Sequence, residues 1–248
     1  MIPKIIHQIW EGKTEPLPKF FSKMSESWKK YHPDWQYEFW DGDRMEKFIN
    51  KYFPDIIDTY HNFHYPVQRW DVIRYLILYK IGGMYVDFDY ECLRNLECYL
   101  TVKGKCYFAM EPDSHRSMFG KKIYFNNALM LTAPGHPFFE YVIQHLKTTS
   151  IIYTENKFHD VLESTGPSML TNLYQKFKNK AIIALFPAEQ VSPWSKIDVQ
   201  NFINKNADEE LLEKKLEKAW AIHYFFGSWF SQILIFFIYV AYQNITFL

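Results

Sequence analysis

Net charge is the first thing this 248-residue sequence lacks: 28 Lys and Arg balance 28 Asp and Glu. A protein that tracks nucleic acid carries a basic excess to meet phosphates. Nucleic-acid binding is therefore excluded, and any anion must be held by a local field. Cysteine is scarce as well. Cys92, Cys98 and Cys106 form an odd set without paired spacing, which excludes a disulfide framework and a zinc site. A reducing, cytoplasmic compartment is expected. The start, Met1-Ile2-Pro3-Lys4-Ile5-Ile6-His7, has no basic stretch followed by a long apolar one, so no secretory leader is predicted. Internal repeats, low-complexity tracts and linkers are missing too, and the length suits one α/β domain better than two.

What is abundant is aromatic surface, with 18 Tyr, 22 Phe and 8 Trp. Such side chains fill cores and also stack on sugars and bases. Along the chain, Lys4 to Trp10 reads as a buried strand, Phe20 to Tyr31 as a helix stopped at Pro33, and Trp35 to Trp40 as a second strand. Two short helices split at Pro54 follow. Val67 to Ile81 is the clearest helix, closed by Gly82-Gly83, which accept positive φ. Met84 to Asp89 then reads as a strand. Further strands are expected over Cys106 to Met110, Ala128 to Leu131, Ala181 to Phe186 and Ala219 to His223, with helices over His136 to Lys147 and Pro167 to Phe177. Strands alternating with helices predict an α/β sandwich on a largely parallel sheet.

In Tyr85-Val86-Asp87-Phe88-Asp89 an apolar strand runs into two carboxylates at i and i+2. On a strand these share a face and Phe88 takes the other. Convergent carboxylates repel unless a cation sits between them, and a divalent metal with oxygen ligands, Mn2+ or Mg2+, is the expected partner. Asp71 and Arg74 lie three apart on one helix face. Either they form an ion pair tying helix to sheet, or Arg74 meets a donor phosphate or sugar hydroxyl with Asp71 orienting it. Trp10 is a core residue or a platform for a nucleobase. His223, ending a strand, is a buried structural histidine or a nitrogen ligand to the same metal.

These pieces occur in a recognisable order. Ile2 to Trp10, Trp35 to Trp40, Asp71-Val72-Ile73-Arg74, Gly82 to Asp89, Gly135-His136-Pro137, Thr165-Gly166-Pro167, and Ala221-Ile222-His223 with Ser228-Trp229 together resemble glycosyltransferase family 32. The resemblance implies a GT-A-like nucleotide-sugar-binding fold, a mixed but mostly parallel sheet flanked by helices. It implies a retaining, metal-dependent transfer from a UDP- or GDP-sugar to a glycan or lipid-linked oligosaccharide, as in bacterial surface polysaccharide synthesis. Carried over by position, Trp10 would stack on the donor base, Asp71 and Arg74 would contact the donor sugar, and Tyr85 would lie beside the nucleotide. Asp87 would bridge the donor, Asp89 would ligate the metal, and Asp87, Asp89 and Arg74 together would form the catalytic set. Asn126 or Asn127 would line the sugar pocket, and His223, Ser228 and Trp229 would close over metal and diphosphate. Trp70 departs from the pattern, standing where many relatives carry a small residue before the Asp.

Two other classes share part of this pattern. Haloacid-dehalogenase-like phosphatases also place D-x-D after an apolar strand, but Tyr90-Glu91-Cys92 makes a poor phosphate loop. A non-catalytic nucleotide- or carbohydrate-binding protein is the third reading. The domain expectation is a GT-A-like unit over 1–229 and an apolar segment over 230–248. Its run Ile233 to Tyr242 is shorter than the ~20 residues a span needs. It is expected to pack on the core or on a second copy, or to lie as a peripheral anchor on the inner face of the cytoplasmic membrane.

Overall fold

The computed structural model describes residues 1–12, 16–100, 105–148, 150–151 and 153–227. Ser228, Trp229 and the apolar segment 230–248 lie outside the described residues.

The first elements are β1 (Ile5–Ile9), α1 (Lys19–Tyr31), β2 (Gln36–Trp40), α2 (Gly42–Tyr52), α3 (Ile57–Asn62), α4 (Pro66–Ile81), β3 (Gly83–Val86) and β4 (Tyr90–Cys92). Then come β5 (Cys106–Met110), α5 (Asp113–Met118), β6 (Phe125–Thr132), α6 (Pro137–Thr148), α7 (Lys157–Ser164), α8 (Pro167–Lys176) and β7 (Ile183–Phe186). The last are α9 (Ala188–Val191), α10 (Lys196–Ile203), α11 (Glu209–Leu216) and β8 (Ala221–His223). Six strands form one sheet in the order β2-β1-β3-β6-β5-β7, in which β6 alone among the described strands runs antiparallel to the others. A mixed, mostly parallel α/β sheet is what the sequence predicted.

Side chains alternate across this sheet as the pleat requires. Tyr85 joins the apolar layer that α4, α6 and α8 complete on one face. Met84 and Val86 join the opposite layer with Ile6, Trp28 of α1, and Leu129. No helix among the described residues is long and apolar enough to cross a membrane.

Helix α4 is apolar nearly all round, and its residues Val72 to Leu78 are buried, so it lies inside the molecule rather than on it. It opens with Pro66 in its first turn and a Tyr65–Gln68 capping box. It ends where Gly82 and Gly83 take φ of +74° and +98°. A Cβ on Gly83 would stand 2.6 Å from the Ile5 carbonyl oxygen, so only glycine lets the chain turn there and press β3 onto β1.

His7 locks this junction. Its Nε2 donates to the Gly82 carbonyl at 2.9 Å, and its Nδ1 accepts from the Trp40 indole N–H at 3.1 Å. A second proton would set Nδ1–H against N–H. Burial accordingly lowers its pKa from 6.5 to about 4, although the Gly82 bond opposes the shift. The unfolded chain binds the proton near 6.5, so this stability is complete above that pH and is lost as pH falls toward 4. Between pH 7 and pH 5 the wild type is expected to lose about 2 kcal/mol more than His7→Gln. Urea unfolding of both proteins at the two pH values checks this; parallel losses would contradict it.

Candidate active site

One cleft of about 630 Å³ opens at the carboxyl ends of β1, β3 and β5, the edge where open α/β sheets bind ligands. Trp10, Asp71, Arg74, Tyr85, Asp87, Asp89, Asn126, Asn127 and His223 all line it. Every described residue given a site role from the sequence therefore lines this one cleft.

The D-x-D geometry differs from the expectation. β3 ends at Val86, and Asp87-Phe88-Asp89 forms a turn closed by Tyr90 N–H to the Asp87 carbonyl at 3.2 Å. The strand stops because the chain leaves the main sheet to form β4, which pairs with β8 so that Tyr90 faces His223. The two carboxylates thus converge through a turn and not through the pleat. Phe88, expected on the far face, also lines the cleft. It meets the Trp10 ring edge-on at 6.3 Å.

The small sheet is what delivers His223. Its ring stacks on Tyr90 at 4.3 Å, and its Nε2 stands 3.3 Å from the Asp89 carboxylate. The backbone N–H of Phe226 donates to the other Asp89 oxygen at 3.0 Å. Burial works against a charged Asp89, but His223 and Phe226 together hold its carboxyl below the ordinary range. Burial likewise opposes protonation of His223, and Asp89 more than restores it.

Asp87 is the opposite case. Burial pushes its carboxyl up and the charge of Asp89 adds to this, while Arg74 offsets part. Arg74 lies 3.2 Å from Asp87 and 3.4 Å from Asp71, and donates to the Asn127 carbonyl at 3.0 Å and the Trp70 carbonyl at 3.2 Å. Its guanidinium also lies over the Tyr85 ring at 4.6 Å, and the Tyr85 hydroxyl donates to Asp87. The Asp71–Arg74 pair is thus a buried ion pair, as the first reading had it, and Arg74 also holds Asp87 at the cleft. Asp71, pushed up to about 6 by burial, accepts from Asn127 at 2.8 Å and Thr165 at 2.9 Å.

Asn126 and Asn127 both line the cleft, and they are held differently. The β5–β6 register shifts between Phe108 and Met110, and an irregularity of this kind re-aims side chains. The Asn126 carbonyl oxygen folds back to accept from the N–H groups of Ala128 and Leu129 at 3.1 and 3.2 Å, while the Asn127 amide reaches Asp71 and Tyr75. Trp70, the departure noted in the sequence, is half-buried and lines the cleft.

Two neighbouring carboxylates and an imidazole are the donor set a Mn2+ or Mg2+ ion takes, and the buried His223 Nδ1 has no hydrogen-bond partner among the described residues. The residue types fit such an ion. As they stand, Arg74 and His223 neutralise the two acids, and no group of three or more His, Cys, Asp or Glu converges in metal-holding geometry among the described residues. Sequence reasoning missed Glu111 and His115, which also line the cleft. The sequence signal was partial: Glu111 follows the end of β5 as Asp87 follows the end of β3, but the relation of the two strands comes only from the sheet order.

Residues 18–107 match the family described as glycosyltransferase sugar-binding region containing DXD motif. The chain belongs to this family. It is 33% identical over 199 residues to a mannosyl phosphorylinositol ceramide synthase of Saccharomyces cerevisiae, covering 76% of this chain and 48% of the relative. A second such synthase from the same yeast is 31% identical over 231 residues, covering 90% and 56%. The chain thus spans about half the length of the curated relatives it matches. In three dimensions it resembles the ligand-free glycosyltransferase domain of the YGT toxin, with a TM-score of 0.51 and 9% identity over 86% of this chain and 89% of that one. This agrees with the GT-A-like fold expected for a family-32 chain.

Proposed function

We propose that this protein transfers a mannosyl group from a nucleotide-activated donor to a phosphoinositol lipid, at a membrane surface. The observation that carries the transfer reaction is the meeting of Asp87, Asp89, Arg74 and His223 in one cleft with Trp10. The sugar and the acceptor class rest on the yeast relatives, whose names specify mannosylation of phosphorylinositol ceramide. They shift the acceptor expected from the sequence, a glycan or lipid-linked oligosaccharide, toward a phosphoinositol lipid. The cleft lip supports that shift. Met118, Phe158 and Ile197 line the cleft yet stand 76%, 43% and 62% exposed, and exposed apolar side chains gathered at one opening suit an apolar ligand.

In the reaction the bond from the anomeric carbon to the diphosphate breaks with its electrons on the diphosphate, and an acceptor hydroxyl oxygen bonds to that carbon as its proton passes to the departing diphosphate. Positive charge builds on the sugar and negative charge on the leaving group. A Mn2+ or Mg2+ ion held by Asp87, Asp89 and His223 would supply the Lewis acid that stabilises the departing oxygens. Trp10 offers its face to the base, Asp71 and Asn127 present polar groups to the donor sugar, and Arg74 fixes Asp87 and adds positive field. Retention of configuration, implied by the family resemblance, is part of this proposal. The test offers GDP-mannose and a panel of UDP-sugars, with inositol phosphoceramide in detergent micelles. GDP-mannose should give a mannosylated lipid. Turnover of a UDP-sugar alone would overturn the sugar assignment, and transfer only to a soluble glycan the lipid assignment.

A further inference from the structure

We infer that Glu111 is the group that receives the acceptor's hydroxyl, held for that task by His115. The inference rests on the transfer reaction proposed above and adds the acceptor wall to it.

β3 and β5 run parallel on either side of β6, so their carboxyl ends open on the same edge, about 9–10 Å apart at ordinary strand spacing. Asp87 continues the β3 ladder, its N–H donating to the Ala128 carbonyl at 2.8 Å. Glu111 continues the β5 ladder in the same way, its N–H donating to the Tyr124 carbonyl at 3.0 Å. Asn126 and Asn127 lie on β6 between them. The cleft thus has an acid on each wall and amides on its floor. The donor-side groups, Trp10, Asp71 and Arg74, all belong to the Asp87 wall.

Glu111 is 6% exposed, and its partner is an imidazole rather than an Arg or Lys side chain. His115 Nδ1 stands 2.6 Å from its carboxylate. The other ring nitrogen, Nε2, accepts from the backbone N–H of Lys196 at 3.1 Å, which places the ring proton on Nδ1 and points it at Glu111. Both ring nitrogens are therefore committed, so His115 positions and Glu111 contacts. Lys196 opens α10, whose start is fixed by a Ser195–Asp198 capping box, so the dyad is anchored to a defined backbone. A carboxylate in this setting repels a diphosphate and attracts hydroxyl donors. Glu111 also sits at the foot of α5, the helix that carries Met118 to the apolar lip. An acceptor whose apolar part rests on that lip brings its headgroup hydroxyls down to Glu111.

The experiment uses GDP-mannose and inositol phosphoceramide micelles and measures mannosylated lipid and free mannose together. Glu111→Gln should lower transfer about 100-fold, as lost orientation and a lost charge-assisted bond would, and raise the ratio of free mannose to mannosylated lipid about tenfold. Asp71→Asn, on the donor wall, should lower both products with the ratio unchanged. His115→Phe should change the ratio as Glu111→Gln does, and His115→Gln, whose amide can still donate, less so. Proportional loss of both products in Glu111→Gln, or transfer within about threefold of wild type, overturns the inference while the transfer reading stands. Wild type that hydrolyses the donor without mannosylating the lipid overturns the acceptor reading and this inference with it. No turnover of any donor by wild type overturns the transfer reading as well.

Discussion

Asp89→Asn is expected to lower turnover of the nucleotide-sugar donor at least ~10³-fold while the chain stays folded. The amide keeps the shape of the carboxylate and can still accept from the Phe226 N–H at 3.0 Å. What it removes is the charge that faces His223 at 3.3 Å and that burial alone would not favour. The stability cost should be ~1–3 kcal/mol, the penalty of a buried hydrogen-bonding group left poorly matched. Asp87→Asn should act in the same direction. Donor hydrolysis alongside thermal melts reads both effects. Wild-type turnover in either folded variant would show that the turn after β3 is not the reacting centre.

Arg74→Met should have the largest effect on stability. Arg74 is buried, and its three guanidinium nitrogens are spent on Asp71, Asp87 and two backbone carbonyls. Removing one partner of a buried ion pair leaves the others uncompensated, at about 3–5 kcal/mol, or roughly 10 °C in Tm for a chain of this size. Adding Asp71→Asn should restore part of that loss, because the Asn127 and Thr165 side chains that serve Asp71 at 2.8 and 2.9 Å can serve an amide too. Activity should not return with stability, since Asp87 has lost the group that aims it. Calorimetry of the single and double variants checks the first half and donor turnover the second. Additive losses in the double variant would contradict the coupling.

The elements that could be read from the sequence are those whose cause is local. The apolar run of α4, the glycines after it and the β-branched strand β1 announce themselves within a few residues, and they bring Trp10, Asp71, Arg74 and Asp87 to one edge. The turn at Asp87 is not local in origin. β3 stops there because Tyr90–Cys92 pairs with Ala221–His223, more than a hundred residues away, and no pattern near Asp87 encodes that partner. The same pairing decides whether His223 is a core residue or a site residue, which is why its role stayed open. Glu111 was overlooked for a related reason. The strand Cys106–Met110 was legible, but its parallel relation to β3 across β6 was not, and without it the acid after the strand is one of many. Helices α7, α10 and α11 are eight residues each, too short for helical periodicity to separate them from loops.

If the cleft holding Asp87, Asp89, Arg74 and His223 breaks a sugar–diphosphate bond with a divalent ion at that site, the wild-type protein should release nucleoside diphosphate from GDP-mannose in a manganese titration run after exhaustive chelation. Release should rise with manganese to saturation, fall to background under chelator, and be absent from Asp89→Asn at every manganese concentration. Release that ignores the metal, or that survives in Asp89→Asn, would contradict it.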